Sequence, residues 1–257
     1  MKITLEYQGE NFEVELSSPL DISIPLRPHG PRAWYVNQMV IKPVINQYFT
    51  GSVALGGNVN FNEVYFNPHG HGTHTENAGH IARDFKGIHE TQQDFFFFAK
   101  VVSVTPIIVA ETNGWHTAGD RMVSRNQVEE ALGEDVPEAV IIRTLPNDHS
   151  KGEMNYSDTN FPYLETSLLA WLCDKGVKHL LVDLPSVDRE SDGGKLLGHR
   201  AFWNFPAATR WDATITEFVY VRNEIADGHY LLNLQIAPFD NDAAPSRPLL
   251  FELKKKV

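Results

Sequence analysis

The most informative stretch of this chain is residues 67–80, which read Asn-Pro-His-Gly-His-Gly-Thr-His-Thr-Glu-Asn-Ala-Gly-His and hold four of its eleven histidines. Imidazole nitrogens and carboxylate oxygens are the ligands of zinc and similar divalent metals. His74 and Glu76 are two residues apart, so an extended chain projects both side chains to the same side. The glycines let the backbone fold tightly enough for such side chains to converge. The stretch predicts a metal or catalytic site, and the alternative is a solvated loop without a function.

These residues resemble the signature of the cyclase family of metal-dependent hydrolases, which includes bacterial kynurenine formamidase. That signature reads His-x-Gly-Thr-His-x-Asp-x-Pro-x-His. Gly72-Thr73-His74 matches it, and His80 is in register with its last histidine. The resemblance implies an α/β fold of the swivelling β/α/β type, with a mixed β-sheet or barrel-like core and flanking helices.

Three positions depart from the signature. Gly70 stands at the first histidine, Glu76 at the aspartate and Ala78 at the proline. His69 and His71 flank the vacant first position, so each is a candidate for a displaced metal ligand.

Local patterns predict strands and helices that suit such a fold. Lys2 to Tyr7 and Phe12 to Leu16 alternate apolar and polar residues around a glycine-bearing turn, which predicts a β-hairpin. Residues 124–132 begin with a capping serine and residues 164–175 end before Gly176, so both are predicted helices. Further strands are predicted at residues 20–26, 40–44, 53–55, 59–66, 94–104, 107–110, 139–144, 177–183, 212–220, 230–237 and 249–253.

Length and composition restrict the class of protein. The 257 residues are ample for a sizeable core, and family-like features from Asp21 to Leu250 predict one cyclase-family domain over residues 1–257. The net charge of −11 argues against nucleic acid or an anionic membrane as a partner. Cys173 lies in an apolar helical run, where we expect a buried residue rather than a nucleophile. Without a signal peptide or a membrane span in the sequence, we expect a soluble, cytoplasmic protein.

The second half of the chain resembles the family again. Asp183-Leu184-Pro185-Ser186-Val187-Asp188 is similar to a family turn that is followed by a histidine, here His199. Glu217 lies in an apolar strand, where an unpaired glutamate is costly unless it binds a metal. The family places a metal-binding glutamate on such a strand. The resemblance therefore implies a metal set of His74, Glu76, His80, His199 and Glu217, with His69 or His71 as substitutes.

The resemblance also implies the chemistry. Since the first histidine is missing, we expect one well-held zinc or manganese ion per chain, with a second ion weak or absent unless His69 or His71 substitutes for that histidine. Such an ion lowers the pKa of bound water and polarises a carbonyl, and His80 or His199 is the candidate proton carrier. The expected activity is arylformamidase-like hydrolysis of a small amide, either an aryl formamide or a cyclic amide.

Several alternatives stay open from the sequence. Trp34, Tyr35, Phe66 and Trp203 are candidates for lining the substrate site, with ordinary packing as the alternative for each. With three altered signature positions, the protein could instead be a non-catalytic family member that binds a small molecule at a degenerate metal site. A structural zinc site is disfavoured because such sites are usually closed by cysteines. We also expect a homodimer or a larger homo-oligomer.

Overall fold

The computed structural model describes residues 1–256, which form a β-barrel flanked by helices. The strands are β1 Lys2–Tyr7, β2 Glu10–Glu15, β3 Leu20–Asp21, β4 Val40–Pro43, β5 Ile45–Asn46, β6 Phe49–Thr50, β7 Asn62–Tyr65, β8 His74–Glu76, β9 Phe96–Val104, β10 Ile107–Ile108, β11 Arg121–Val123, β12 Ala139–Thr144, β13 Tyr163–Leu164, β14 His179–Val182, β15 Thr214–Glu217, β16 Gly228–Ile236, β17 Ala243–Glu252 and β18 Lys254–Lys255. The α-helices are α1 Ile88–Thr91, α2 Arg125–Leu132, α3 Thr166–Asp174 and α4 Leu197–Phe202, and short 3-10 helices cover Val53–Leu55, Ala78–His80 and His149–Gly152.

Seven strands form the barrel in the order β16-β9-β12-β14-β15-β8-β17, and pairing between β17 and β16 closes it. Strands β9, β12, β14 and β15 run parallel to one another. Strands β8, β16 and β17 are antiparallel to their neighbours, and β3 pairs with β17. The predicted mixed sheet with a barrel-like core and flanking helices is confirmed.

The parallel strands are apolar on both faces because each face meets a different core. Ile141 packs inside the barrel with Val101 and Leu181. Val140 and Ile142 face the other way and pack with helices α2, α3 and α4. Successive strand residues point to opposite faces, so two buried faces require an uninterrupted apolar run.

Local signals located helices α2 and α3, whereas α1 and α4 were not predicted. The side chain of Ser124 accepts a hydrogen bond from the backbone of Gln127 and the Gln127 side chain bonds back, so a capping box starts α2. Gly133 ends that helix with a positive φ of 65°. Cys173 is only half-buried, so the expectation of full burial is wrong. The apolar stripe of α3 consists of Leu168, Leu169, Trp171 and Leu172, and Cys173 lies beside it.

One predicted strand is absent from the structure and several are shorter, such as Thr214–Glu217 where residues 212–220 were predicted. Val53–Leu55 is a 3-10 helix, since a run of three apolar residues carries too little periodicity to separate the two conformations. The strand predicted over residues 20–26 is regular only at Leu20–Asp21. The chain then changes partner, because Ile22 donates to the Pro248 carbonyl but accepts from the backbone of Tyr220.

One end of the barrel collects the carboxyl ends of the parallel strands. Thr144 ends β12 and Glu217 ends β15. Strand β8 runs antiparallel to β15 and places His74 opposite Glu217. Open and closed α/β sheets commonly bind ligands at this end. Within residues 1–256, no helix combines the length and the apolar character needed to cross a bilayer.

Candidate metal centre and active site

Strands β8 and β15 bring together three of the predicted ligands, His74, Glu76 and Glu217. His74 and Glu76 are both buried and leave β8 on the same side, as their spacing predicted. Thr75 points the other way and bonds the Thr216 hydroxyl at 2.8 Å. Nε2 of His74 lies 3.4 Å from Oε2 of Glu217, its cross-strand neighbour.

Glu76 is the centre of the cluster. Its Oε1 accepts from Nε2 of His199 at 3.0 Å, and its Oε2 accepts from Nδ1 of His69 at 3.0 Å. Nδ1 of His80 is 3.9 Å from the same Oε2. One buried carboxylate therefore joins three imidazoles from two distant parts of the chain.

Asp242 closes the cluster from the opposite side. Its Oδ2 lies 2.7 Å from Nε2 of His69 and 3.2 Å from Nδ1 of His80. Asp242 immediately precedes β17, and its carbonyl accepts from the backbone of Asn77 at 3.1 Å. The pairing of β17 with β8 thus fixes this carboxylate against the histidine stretch.

Asp188 orients the second-half histidine. Nδ1 of His199 donates to Oδ2 of Asp188 at 2.6 Å, and the backbone amides of Gly198 and His199 also donate to this carboxylate. A Cβ at Gly198 would lie 2.5 Å from the Leu169 side chain and 2.7 Å from Asp188. Glycine is therefore required for α4 to approach closely enough. A carboxylate behind a histidine in this way fixes the ring orientation of a metal ligand.

The carboxylates carry unequal proton affinities. Burial alone would raise the pKa of Glu76, but the charge on His80 and a hydrogen bond from His199 hold it well below the ordinary value. Burial and the neighbouring charge of Glu76 raise the pKa of Glu217. Glu76 is thus the permanent anion of the pair.

The neighbouring carboxylates raise the pKa values of two imidazoles of the cluster. Burial opposes protonation of His69, yet its hydrogen bonds to Asp242 and Glu76 raise its pKa to about 10. Burial likewise opposes protonation of His199, but Asp188 and Glu76 raise its pKa well above the ordinary value. The carboxylates of the cluster therefore favour positive charge on its nitrogen atoms. Either protons or a metal ion can supply that charge, and the two compete for the same nitrogens.

The residues present fit a divalent metal. Nε2 of His74 is buried and has no hydrogen-bond partner within residues 1–256, while its Nδ1 donates to the Gly72 carbonyl and leaves the Nε2 lone pair free. Three overlapping groups have ligand atoms within 4.8 Å of one another: His69, His74 and Glu76; Glu76, His80 and His199; His69, His80 and Asp242. This set of nitrogen and carboxylate oxygen donors suits zinc or manganese.

The structure also separates the two substitutes for the vacant signature position. His69 joins the cluster, whereas His71 turns away and bonds the Asn37 carbonyl through Nε2 at 2.8 Å. A Cβ at Gly70 would meet the side chain of Val36 at 2.8 Å, so a side chain at that position would face Val36. The displaced histidine one residue earlier therefore takes the place in the cluster.

A cavity of about 290 Å³ opens onto the cluster around Glu76. Its lining comprises Trp34, Asn67, His69, Glu76, His80, Ser186, Asp188, Arg189, Glu190, Asp192, Leu196, His199 and Glu217. Trp34 alone of the four aromatic candidates belongs to it. This ring meets the edge of Phe161, with centroids 5.9 Å apart.

The other three aromatic candidates lie elsewhere. Trp203 is fully buried behind His199, with ring centroids 5.3 Å apart, and serves as a packing residue. Tyr35 is on the surface, where its hydroxyl donates to Asp158 at 2.8 Å. Phe66 is half-buried and is outside the cavity lining.

Two residues of the cluster were not predicted as site residues. Asp188 is part of the family-like turn and so carried a signal in the sequence. Asp242 had a weaker one, since it lies in a short polar segment, Asp240-Asn241-Asp242, directly before an apolar strand. Its 173-residue separation from His69 becomes a contact only through the pairing of β17 with β8.

Comparisons with known proteins identify the family and the fold. A family model described as "Putative cyclase" matches residues 14–189. The kynurenine formamidase of Bacillus anthracis is 25% identical over 195 residues, which cover 76% of this chain and 81% of that enzyme. A predicted metal-dependent hydrolase from Bacillus stearothermophilus shares the fold with a TM-score of 0.60 at 18% identity, covering 91% of this chain and 98% of that one. Isatin hydrolase A from Labrenzia aggregata, bound to benzyl benzoate, gives a TM-score of 0.65 at 11% identity, covering 93% and 94% of the two chains. Because the matched residues make up more than half of the chain, this protein belongs to the cyclase family.

Proposed function

We propose that this protein is a metal-dependent amidohydrolase that acts on a small, uncharged aromatic amide, either an aryl formamide or a cyclic amide. The observation that carries the proposal is the buried Nε2 of His74, which has no hydrogen-bond partner within residues 1–256. It lies 3.4 Å from Glu217, which lines the cavity together with Glu76. The similarity to kynurenine formamidases and the fold shared with isatin hydrolase support amide hydrolysis.

The metal ligands in this proposal are His69, His74 and Glu76, whose ligand atoms lie within 4.8 Å of one another, and they would hold one zinc or manganese ion per chain. His199 and Glu217 lie beside this set, 3.0 Å from Glu76 and 3.4 Å from His74 respectively. A divalent ion supplies Lewis acidity at the amide carbonyl and a water molecule of lowered pKa. The protein supplies the rest. It fixes the ligands through their carboxylate partners, and it excludes bulk water from the buried side of the cluster.

His80 is the candidate proton carrier. Its ring lines the cavity, and Nδ1 is held by Asp242 at 3.2 Å. Its Nε2 makes no hydrogen bond with residues 1–256, so it can move a proton from water to the leaving amine. His199 is less suited to this role, since Asp188 and Glu76 occupy both of its ring nitrogens.

The charges around the cavity favour an uncharged substrate. Glu190 and Asp192 line it, and Arg189 is the cation among its lining residues apart from the histidines. Nε of Arg189 is held 2.8 Å from Oδ2 of Asp120, which neutralises much of its attraction for an anion. A substrate carboxylate would therefore meet net repulsion. The small volume and the Trp34 ring suit one or two aromatic rings.

Elemental analysis and an activity screen test the proposal together. Protein purified without added metal should contain close to one zinc or manganese ion per chain. It should hydrolyse formanilide or isatin faster than 2-formamidobenzoate, which carries a carboxylate. His74→Ala should lose both metal and activity, whereas His149→Ala, which alters an exposed histidine outside the site, should keep both.

The outcomes discriminate between the alternatives. Protein that binds neither zinc nor manganese after incubation with excess of each contradicts the metal site. A retained metal without hydrolysis of any of the three amides favours the non-catalytic binding protein instead.

A further inference from the structure

We propose that a cavity at the opposite end of the barrel, hereafter the His179 cavity, is a second binding site, which takes a small organic ammonium ion with an aromatic body. Its volume is about 600 Å³, within the usual range for a ligand pocket. His179 begins β14 and pairs with Thr214, the first residue of β15, whereas Glu217 ends β15 at the candidate metal centre. The two sites are therefore separated by the length of a strand, and this proposal does not depend on the proposed hydrolysis.

Gln92 leaves a buried hydrogen-bond acceptor at the His179 cavity. The residue is 5% exposed and belongs to the lining of the cavity. Its backbone amide donates to the Ile88 carbonyl at 3.1 Å and its Nε2 donates to the Leu234 carbonyl at 2.9 Å, which together fix the side chain. Its Oε1 has no hydrogen-bond partner within residues 1–256. A buried acceptor without a partner is costly, and a ligand that donates an N–H group removes that cost.

His179 contributes an unpaired ring nitrogen to the same cavity. The residue is 3% exposed, and the Phe97 ring packs against it with centroids 3.9 Å apart. Its Nδ1 shares a hydrogen bond with the Thr214 hydroxyl at 2.9 Å, while its Nε2 makes none with residues 1–256. Burial lowers the pKa of His179 to about 3, so the ring is neutral near pH 7. A neutral imidazole can contact a ligand without repelling a cation.

The charges of the lining favour a cation. Three carboxylates, Asp94, Glu138 and Asp212, line the cavity together with one cation, Lys178. Within residues 1–256, the single ion pair among these four joins Lys178 to Asp212 at 4.0 Å. Asp94 and Glu138 therefore keep negative charge that no neighbouring cation offsets. An anionic ligand would meet net repulsion, whereas an ammonium ion would be attracted.

The remaining lining favours an organic ion over a metal ion. Within residues 1–256, no three ligand atoms at this cavity lie close enough to hold one metal ion. Phe95, Phe96 and Phe97 all line the cavity, and Phe96 is 55% exposed. An aromatic ring can pack against such a side chain, and an ammonium group is attracted to the face of a phenyl ring. An arylalkyl ammonium ion combines both features.

Isothermal titration calorimetry with 2-phenylethylammonium tests the proposal without reference to activity. The wild-type protein should bind it saturably, with a dissociation constant of about 1 mM or below. 2-Phenylethanol has the same skeleton without the charge and should bind at least about 10-fold more weakly. 3-Phenylpropanoate carries the opposite charge and should not bind. Equal affinity for the alcohol and the ammonium ion overturns the proposal.

Variants of the lining test each contact. Gln92→Met keeps a side chain of similar size without the acceptor and should weaken binding about 10-fold, since a hydrogen bond from a charged donor is lost. The double variant Asp94→Asn with Glu138→Gln removes two negative charges and should weaken binding about 3- to 10-fold. Glu130→Gln is the matched control, because Glu130 is exposed on α2 outside the cavity, and it should bind as the wild type does. Circular dichroism checks that each variant is folded.

Nuclear magnetic resonance of the wild-type protein locates the ligand. This control is needed because two carboxylates, Glu190 and Asp192, also line the cavity beside the candidate metal centre. 2-Phenylethylammonium should shift the signals of the Gln92 side-chain amide and the His179 ring at concentrations that leave the His199 signals unchanged. Shifts confined to the His199 end overturn the proposal. No saturable binding up to about 10 mM does so as well, and so does undiminished binding in both the Gln92 and the Asp94/Glu138 variants.

Discussion

His199 and His179 are both buried histidines, and they lie at opposite ends of the same barrel. Nδ1 of His199 donates to the carboxylate of Asp188 at 2.6 Å, and the pKa of His199 is raised. Nδ1 of His179 bonds the hydroxyl of Thr214 at 2.9 Å, and burial with the nearby charge of Lys178 lowers its pKa to about 3. Equal burial thus gives opposite proton affinities. The carboxylate neighbours, and not the burial, distinguish the candidate metal ligand from the structural histidine.

Cavity size alone would have selected the His179 end of the barrel instead of the His199 end. The cavity at the His179 end measures about 600 Å³, against about 290 Å³ at the His199 end. Within residues 1–256, however, every group of three or more ligand atoms close enough for one metal includes His69 or Glu76 and so lies at the smaller cavity. The side chains that line a cavity are therefore a better guide to the candidate site than the volume of the cavity.

The largest effect should follow from removing the central charge of the His199 end. Glu76→Gln keeps the size of the side chain but removes the anion that pairs with His69 and His199. Metal retention and amide hydrolysis should fall by more than about 100-fold, which is the largest loss expected from a residue that only positions a ligand. Elemental analysis and kcat/KM measure this. Asp212→Asn, at the rim of the far cavity, is the control and should change neither. Full metal content in Glu76→Gln would contradict the assigned centre.

A smaller effect is expected from a change at Asp188, whose carboxylate accepts a hydrogen bond from His199. Asp188→Asn should lower metal affinity by about 10- to 100-fold, because His199 loses its orienting carboxylate. Titration against a chelator of known affinity gives the value. Thr214→Val removes the corresponding partner of His179 and should leave metal affinity unchanged, with about 1 kcal/mol lost from the free energy of unfolding. Equal metal affinities in the two variants would remove the distinction between the two ends.

The far end should control acid stability instead. The unfolded His179 takes up a proton near pH 6.5, whereas the folded residue does so only near pH 3. The free energy of unfolding therefore falls as the pH decreases from 6.5 to 3, by about 1.4 kcal/mol per pH unit from this residue. Between pH 7 and pH 5 this amounts to about 2 kcal/mol. In urea denaturation, His179→Gln should lose that much less stability over this interval than the wild type. Identical losses would show that His179 is not held neutral.

The smallest effect concerns the acidic rim at the His199 end. Glu190→Gln keeps an acceptor for the Asp158 amide but removes a negative charge. Partly exposed charges contribute roughly 0.2–1 kcal/mol, so kcat/KM for 2-formamidobenzoate should rise about 2- to 5-fold relative to formanilide. A uniform change for both substrates would argue against charge selection by the cavity.

The sequence by itself determined the features that depend on local spacing. The two-residue interval put His74 and Glu76 on one side of a strand, and Ser124 and Gly133 set the limits of α2. The resemblance added His199 and Glu217, which the structure places in the same cluster. Such features can be predicted from the sequence because the periods of strands and helices fix side-chain directions within a few residues.

Only the tertiary structure decided which of two neighbouring histidines faces the candidate metal centre. His69 and His71 are equivalent in spacing, but His69 lies 3.0 Å from Glu76 while His71 bonds the Asn37 carbonyl. The same holds for Asp242, which meets His69 through a strand pairing formed across most of the chain. These contacts depend on how β8 fits between β15 and β17, and no short-range pattern encodes that arrangement.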